Sequence, residues 1–377
     1  MLGGFLSYGK RTRGGPASSP VVIGPDIVSV GGAATGLGPL FGTVVQPGDS
    51  VLFDNRWKTE AFALFGQSIY SITDDWSATL GLRYTTENKD VDLVTQPFST
   101  AAAFAAGAAL VQIAFSPVDE SFNRESDGFT GLANLTYFVN EQVMTFASAS
   151  TGTKSGGFNG VASEDFSREF KDEETTNYEL GIKSELFNNR LRINATAFYT
   201  EFSDLQFLAQ QPSGVGTYIS NAAEGTSAGI DLNVSAAPWE FLMLSGGLQY
   251  LDAEYTKGAL RELNVDVPYA PTWSGNVSAT FLLPAGEGVS YLRSDYSYMS
   301  DHFTNPTYQP ASVEQDKNLV NARVGWRNDV WNAALWVKNA TNEAYATLSA
   351  APIAYSGTEA YFLEAPRTWG ATVRYNF

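Results

Sequence analysis

The sequence predicts an all-β fold, a transmembrane antiparallel β-barrel, on three observations: apolar and polar residues alternate with a period of two, connections alternate between tight and long, and aromatic residues recur near strand ends. A period of two marks a strand because successive side chains point to opposite faces. Alternation alone suits a soluble sandwich equally well. The connections decide, because short turns on one side and long loops on the other are the layout of an outer-membrane barrel, and a Greek-key sandwich has no reason to sort them.

Taken in order, "WSATLGLRY" sets Trp76, Ala78, Leu80, Leu82 and Tyr84 opposite Ser77, Thr79, Gly81 and Arg83. "NYELGIKSE" sets Tyr178, Leu180 and Ile182 opposite Asn177, Glu179, Gly181 and Lys183. "RLRINATAFY" presents Leu191, Ile193, Ala195, Ala197 and Tyr199, and the final "TWGATVRYNF" presents Trp369, Ala371, Val373, Tyr375 and Phe377. The tight connections are "TDD" near Asp74, "VNEQ" near Asn140, "FNNR" near Asn188, "APWE" near Pro238, "PAGEG" near Gly286 and "RNDVW" near Asn328. Long loops are expected at 11–51, 91–120, 156–171, 203–217, 257–267, 303–316 and 344–365. The alanine-rich "STAAAFAAGAALVQIAF", Ser99 to Phe115, is read as an insertion in one of them.

Roughly ten residues tilted by about 45° cross the hydrocarbon layer, and lipid offers the backbone no partners, so every strand must pair and no edge can remain. Trp76, Tyr84, Tyr178, Tyr199, Trp331, Trp369 and Tyr375 fit the aromatic girdles at the two interfaces. The count comes to about thirteen strands, whereas single-chain bacterial barrels prefer even numbers, which hints at a missing part.

The 377 residues suffice for several ordinary domains or one large all-β unit, and composition narrows the choice. Lys+Arg 23 against Asp+Glu 40 gives a net charge of -17, which repels nucleic acid. Charged residues make up 17%, below the roughly 25% of soluble domains, so much surface meets something other than water. No run of about 18 apolar residues exists, which excludes membrane helices but not barrel strands. With no cysteine and one histidine, His302, neither a disulfide framework nor a multi-histidine metal cluster is available, and no cofactor is expected. "MLGGFLSYGK" lacks the pattern of a secretory signal, so the expectation is either no export or a beginning that lies upstream.

"TGTKSGGFNG", Thr151 to Gly160, places lysine and serine among glycines, as phosphate loops do. A Walker A loop requires glycine directly before its lysine and again six places ahead of it, positions held here by Thr153 and Ser148. Beyond Gly160 the chain reads "VASEDFSREFKDEETT", not an amphipathic helix whose N-terminus could face phosphate. The histidine in "SYMSDHF" has no nucleophile-elbow context, and the acidic Glu164-Asp165 and Lys171–Thr176 runs lack calcium-loop spacing, so both read as solvated loop residues and no enzyme is expected.

"ASASTGTKSGGFN" followed by "ETTNYELGIKSELFNNRLRINATAFYTEFSDLQ" resembles the C-terminal barrel of TonB-dependent outer-membrane receptors. The resemblance runs on through "NAAEGTSAGIDLNVSAAPWEFLMLSGGLQYLDAEYT", "VPYAPTWSGNVSATF", "LWVKNATNEAYAT" and "APRTWGATVRYNF", covering nearly the whole chain from about Val51. It implies a 22-stranded plugged barrel in a Gram-negative outer membrane, surrounded by lipid, importing a ferric siderophore, cobalamin or similar nutrient and energised by the TonB complex. It also implies that the terminal Phe377 is the signal read by the barrel-assembly machinery. No segment resembles the plug domain or the TonB box, so residues 1–377 are expected to be about the last thirteen strands of such a receptor, unable by themselves to carry out energised transport. A passive porin is the alternative.

The alternation assigns Arg83, Asn177, Glu179, Lys183, Arg192, Asn194 and Arg374 to the lumen face. The resemblance implies ligand capture by outer loops and the lumen mouth, where aromatics stack on planar ligands. Phe158, Asn159, Tyr269, Phe303, Tyr308, Tyr355, Tyr361 and Phe362 are the candidates.

Overall fold

A computed structural model describes residues 2–13, 21–22, 50–98, 118–160, 168–210, 217–304, 313–314, 316–350 and 360–377. Its principal strands are β1 (Leu2–Arg13), β2 (Ser50–Ser71), β3 (Trp76–Phe98), β4 (Val118–Asn140), β5 (Val143–Lys154), β6 (Glu173–Leu186) and β7 (Leu191–Gln210), followed by β8 (Thr217–Trp239), β9 (Leu242–Gly258), β10 (Trp273–Ala285), β11 (Gly288–Met299), β12 (Lys317–Arg327), β13 (Trp331–Lys338) and β14 (Thr368–Tyr375). Each pairs antiparallel with the next in one meandering sheet of 15 strands, the remaining member being the two-residue Val21–Val22 against β2. One helix, α1 (Ala259–Glu262), is found among the described residues. Relative to the alternation in the sequence, β1 is the additional strand. β1 and β14 each pair on one side only, so the described sheet is open.

Several of the tight connections satisfy their own backbone. The Thr73 hydroxyl accepts from the amides of Asp75 and Trp76, and the Asn328 side-chain oxygen accepts from those of Val330 and Trp331. Phe187, Asn188 and Asn189 turn through positive φ (55°, 55° and 63°), a conformation asparagine tolerates better than most residues. Such turns need few residues, which keeps one end of the sheet flush.

Among the described residues, parts of the expected long loops are strand or helix. β3 and β4 run 23 residues each and enter 91–120 from its two ends, and β7 reaches Gln210 within 203–217. Segments 156–171, 303–316 and 344–365 carry small two-stranded hairpins: Gly157–Phe158 with Glu169–Phe170, His302–Phe303 with Val313–Glu314, and Ala346–Ala350 with Ala360–Leu363. Segment 257–267 holds α1. The Ser99–Phe115 insertion lies outside the described residues.

The register puts Leu80, Leu82 and Phe129, and likewise Leu180, Ile230, Val277, Leu335 and Val373, on one face, where all are exposed. Exposure of so many large apolar side chains in one band marks a surface made for lipid. Aromatic pairs bound it: Trp76 stacks on Tyr137 (centroids 4.6 Å) and Trp331 meets Tyr375 (4.8 Å) at the tight-turn end, while Tyr84 meets Phe129 (4.9 Å) and Tyr250 meets Trp273 (4.9 Å) at the other. From Trp76 to Tyr84 the strand rises about 26 Å, which matches an apolar band about 25 Å tall. The opposite face is the inner one.

Candidate functional site

A 23-residue strand is about 76 Å long, so about half of β3 stands clear of the membrane. There its two faces exchange character. On the outer face the apolar series ends at Tyr84 and continues as Thr86, Asn88, Asp90 and Asp92, the last three bonded to Asn123 and Ser121 of β4. On the inner face Arg83, Thr85, Glu87 and Lys89 give way to Val91 and Leu93, exposed by only 1% and 0%. The strand has not slipped, since its pairing with β4 is continuous from Trp76 to Thr95. Outside lipid, the outer face meets water and the inner face becomes the core.

That core is completed by the glycine stretch. Phe158 packs on Val91 and Leu93 together with Trp57 and Phe122, its ring stacked 5.4 Å from that of Phe122. Three polar links hold the segment against the inner wall. The Lys89 ammonium donates to the Ser155 hydroxyl (2.6 Å) and the Gly156 carbonyl (2.5 Å) while pairing with Glu87 (2.9 Å). Asp172 accepts from the Gly156 amide (2.6 Å) and the Ser126 hydroxyl (2.7 Å) and pairs with Arg124 (3.2 Å). The Gln206 side-chain amide donates to the carbonyls of Ser155 and Lys171 (3.2 and 2.9 Å).

A Cβ at Gly156 would run into the Phe170 carbonyl and sit 2.7 Å from the carbonyl carbon of Lys171. The glycine is therefore there for close backbone approach, the role expected where two chain segments touch. Partial burial by itself would raise the Asp172 carboxyl, but the Gly156 amide, the Ser126 hydroxyl and Arg124 hold it below the ordinary aspartate range. Beneath this network lies a cavity of about 610 Å³ on the inner face, lined by Arg83, Glu87, Asp172 and the hydroxyls of Thr85, Ser126 and Thr175 among others. Hydroxyls and carboxylates side by side offer donors and acceptors to a polar ligand.

A second inner cluster repeats the arrangement on β7–β9. Ala223, Tyr255 and Leu260 of α1 are buried against Leu205, Phe207, Val265 and Val267. Here a bulge with Asp204 at φ 49° shifts the register of β7 and turns Leu205 and Phe207 inward.

The ligand-capture candidates separate. Phe158 and Asn159 are each 5% exposed. The Phe158 ring is used in the core, and the Asn159 amide pairs in both directions with the backbone of Ile219 (3.0 and 2.7 Å). Tyr269 and Phe303, 34 residues apart, are brought together: the Tyr269 amide donates to the Phe303 carbonyl (2.8 Å) and its hydroxyl to the Thr304 carbonyl (2.6 Å). Burial pushes the Tyr269 phenol up. Phe362 is exposed on the hairpin whose backbone also includes Tyr361, while Tyr308 and Tyr355 lie outside the described residues, as do Glu164 and Asp165. His302 is half-buried beside the Ser300 carbonyl (2.9 Å).

Arg83, Asn177, Glu179, Lys183, Arg192, Asn194 and Arg374 all share the parity opposite the lipid band in their registers. Glu179 accepts from Asn177 (2.9 Å), Arg192 pairs with Glu185 (2.5 Å), and the Lys183 ammonium sits 5.5 Å from the centre of the Phe146 ring. Phe377 meets Tyr375 edge-on (5.1 Å) and is exposed. Lys89, Arg124 and Asp172, which hold the inward segment, were not anticipated. Their signal in the sequence is the exchange of apolar parity along "TTENKDVDLV".

A meander of membrane-spanning strands with extended outer ends, inward-folded segments and an apolar outer band defines an outer-membrane β-barrel protein. The chain belongs to the TonB dependent receptor-like β-barrel family, whose model matches residues 18–340. Members are outer-membrane proteins of Gram-negative bacteria and are transport receptors rather than enzymes, which places this chain in that membrane. The chain is similar to the metal-pseudopaline receptor CntO of Pseudomonas aeruginosa, 28% identical over 268 residues, covering 67% of this chain and 34% of that protein. Its fold is similar to that of the ferric yersiniabactin uptake receptor FyuA from Yersinia pestis (TM-score 0.73, 17% identity, 88% of this chain and 48% of that one). It is likewise similar to the siderophore receptor PiuA from Acinetobacter baumannii (TM-score 0.63, 19% identity, 85% and 43%). The chain thus spans about a third of the curated relative's length and less than half of either solved chain.

Proposed function

We propose that this chain is the C-terminal barrel portion of a receptor that imports a scarce nutrient, a ferric siderophore or similar metal chelate, with transport energised through TonB. The observation that carries the reading is family membership across residues 18–340, joined by the likeness to a metal-pseudopaline receptor. The inward-folded Ser155–Asn159 segment supports it over a passive porin, because packing against the inner wall narrows the space that an open aqueous pore needs. The Tyr269–Phe303 clasp, exposed Phe362 and the hydroxyl-lined cavity are the surfaces on which such a chelate would first be held. Exposed Phe377 is read as the signal for barrel assembly.

The test is uptake of radioactive iron presented as siderophore complexes to cells carrying the gene in its full genomic context. Accumulation that collapses when the proton-motive force is dissipated is the expected result. Equal accumulation with and without that force, together with a steady ion conductance in planar bilayers, would instead identify a porin.

A further inference from the structure

The cavity of about 610 Å³ beside the Gly156 segment does not stop at the inner face. β4 and β5 pair from Asn140 and Val143 up to Leu132 and Ser150, and there their ladder ends. Above that point β4 goes on pairing with β3, and β5 with β6 as far as Lys154, so two neighbouring strands part inside an otherwise continuous wall. The link at the fork is made by a side chain, the Gly131 amide donating to the Thr151 hydroxyl (2.9 Å). Arg83, Glu87 and Ser126 line the gap with inner parity, whereas Asp127 and Phe129 belong to the outer face and Glu174 and Thr176 share the parity of exposed Tyr178. The cavity is a slot through the wall, beside the Tyr84–Phe129 pair that bounds the lipid band.

Two features leave the slot open. Because the Gly131 amide points at the gap, the alternation of an antiparallel strand turns the amides and carbonyls of Phe129 and Asp127 the same way, and among the described residues no strand answers them. Such an edge is completed by a ligand that carries donors and acceptors together. A Cβ at Gly128 would meet nothing within 4 Å, so the glycine preserves space that packing does not require.

The lining sorts the ligand by chemistry. Eight of the sixteen lining residues are serine or threonine, and the hydroxyls of Thr130, Thr153, Thr175 and Thr176 bond to no protein group among the described residues. One guanidinium, Arg83, stands among four carboxylates, of which Glu87 and Asp172 are paired with Lys89 and Arg124. Asp127 and Glu174 form no ion pair among the described residues. An anionic group meets net repulsion here. A ligand hydroxyl, which donates and accepts at once, suits carboxylates, threonine hydroxyls and bare backbone alike. The electron-rich face of Phe129 adds a platform for C–H groups, and the volume falls within the range of small-molecule sites.

We propose that the slot between β4 and β5 binds a neutral saccharide. The proposal rests on the reading of this cavity as a surface that holds the nutrient in an outer-membrane wall, and narrows it: whatever is held there is engaged through hydroxyls and not through an anionic chelating end. Because the slot is open on both faces, the saccharide comes either from a soluble nutrient or from the sugar headgroup of a glycolipid in the surrounding leaflet.

The experiment screens the full chain, extracted from outer membranes in detergent, on an array of immobilised neutral oligosaccharides and their uronic-acid counterparts, and identifies the lipid it retains by mass spectrometry. At least one neutral oligosaccharide bound about tenfold more tightly than its acidic counterpart identifies a soluble ligand, and a glycolipid retained in proportion to the chain identifies a membrane one. Gly128→Phe, which fills the slot, should lower either signal about tenfold with heat-modifiable gel mobility unchanged. Should that variant not assemble, Thr175→Val is expected to lose about threefold. Absence of both signals, equal binding of neutral and acidic sugars, or an undiminished signal in the assembled variant would each overturn the proposal. None of these readouts uses the proton-motive force, so energised iron uptake succeeds or fails separately from them.

Discussion

The membrane-spanning part of β3 and its outer extension are one continuous strand with opposite hydrophobic faces. From Trp76 to Tyr84 the apolar residues are the even-numbered ones and point outward, whereas at Val91 and Leu93 they are odd-numbered and point inward. The backbone geometry is the same in both halves. What changes is the solvent on the outer side, hydrocarbon below and water above, and each half buries its apolar residues away from water. The β7–β9 extension reaches the same end through the Asp204 bulge. A strand can reverse its sidedness by composition or by one inserted residue.

The largest expected effect comes from breaking the upper core. Phe158→Ala should cost about 3–5 kcal/mol, as for a buried aromatic replaced by alanine, with the loss confined to the extension. Hydrogen exchange should show lost protection at Gly156–Asn159 while β3 below Tyr84 is unaffected, and intact protection there would sever Phe158 from the inward fold.

Substitution in the lower half should give a somewhat smaller, global effect. Leu80→Arg is expected to cost about 2–4 kcal/mol at the bilayer midplane, read from urea unfolding in lipid vesicles. Asp90→Arg on the same face, two residues beyond Asn88, should cost less, because that position already meets water and the loss is confined to its surface pairing with Lys58 and Asn123. Equal costs at the two positions would mean that the band does not end at Tyr84.

The smallest effect is the pH response of Asp172. Its folded carboxyl lies below the ordinary value, so its contribution is fully present above about pH 3.9 and is lost as pH falls through the lower folded value. Protease nicking of the Ser155–Asp172 region should rise in that acid window, and Asp172→Asn should remove the pH dependence while leaving nicking raised throughout. A wild-type chain without acid sensitivity would place the restraint with Lys89 and Gln206 alone.

Much of the fold was legible because a lipid-facing band forces strict alternation, and "WSATLGLRY" and "TWGATVRYNF" carry it without interruption. The strand extensions were not, since "ENKDVDLV" keeps the period but reverses the parity, and a reading tuned to one apolar face takes the reversal for an irregular loop. The packing of Phe158 was hidden for the same reason: nothing local says that Gly156 lets the chain fold back onto Val91 and Leu93. The pairing of Tyr269 with Phe303 and the facing of Arg293 and Arg323 are products of register, which a sequence specifies only through the whole sheet.

The apolar band carries a kinetic consequence. Hydrocarbon leaves each amide and carbonyl without a partner uncompensated at several kcal/mol apiece, so a strand such as β3 cannot enter lipid ahead of the neighbours that pair with it on both sides. Insertion and strand pairing are therefore a single concerted event. Catalysts of assembly must hold a strand until its partner arrives, and the rate of membrane entry should follow the rate at which that partner is supplied.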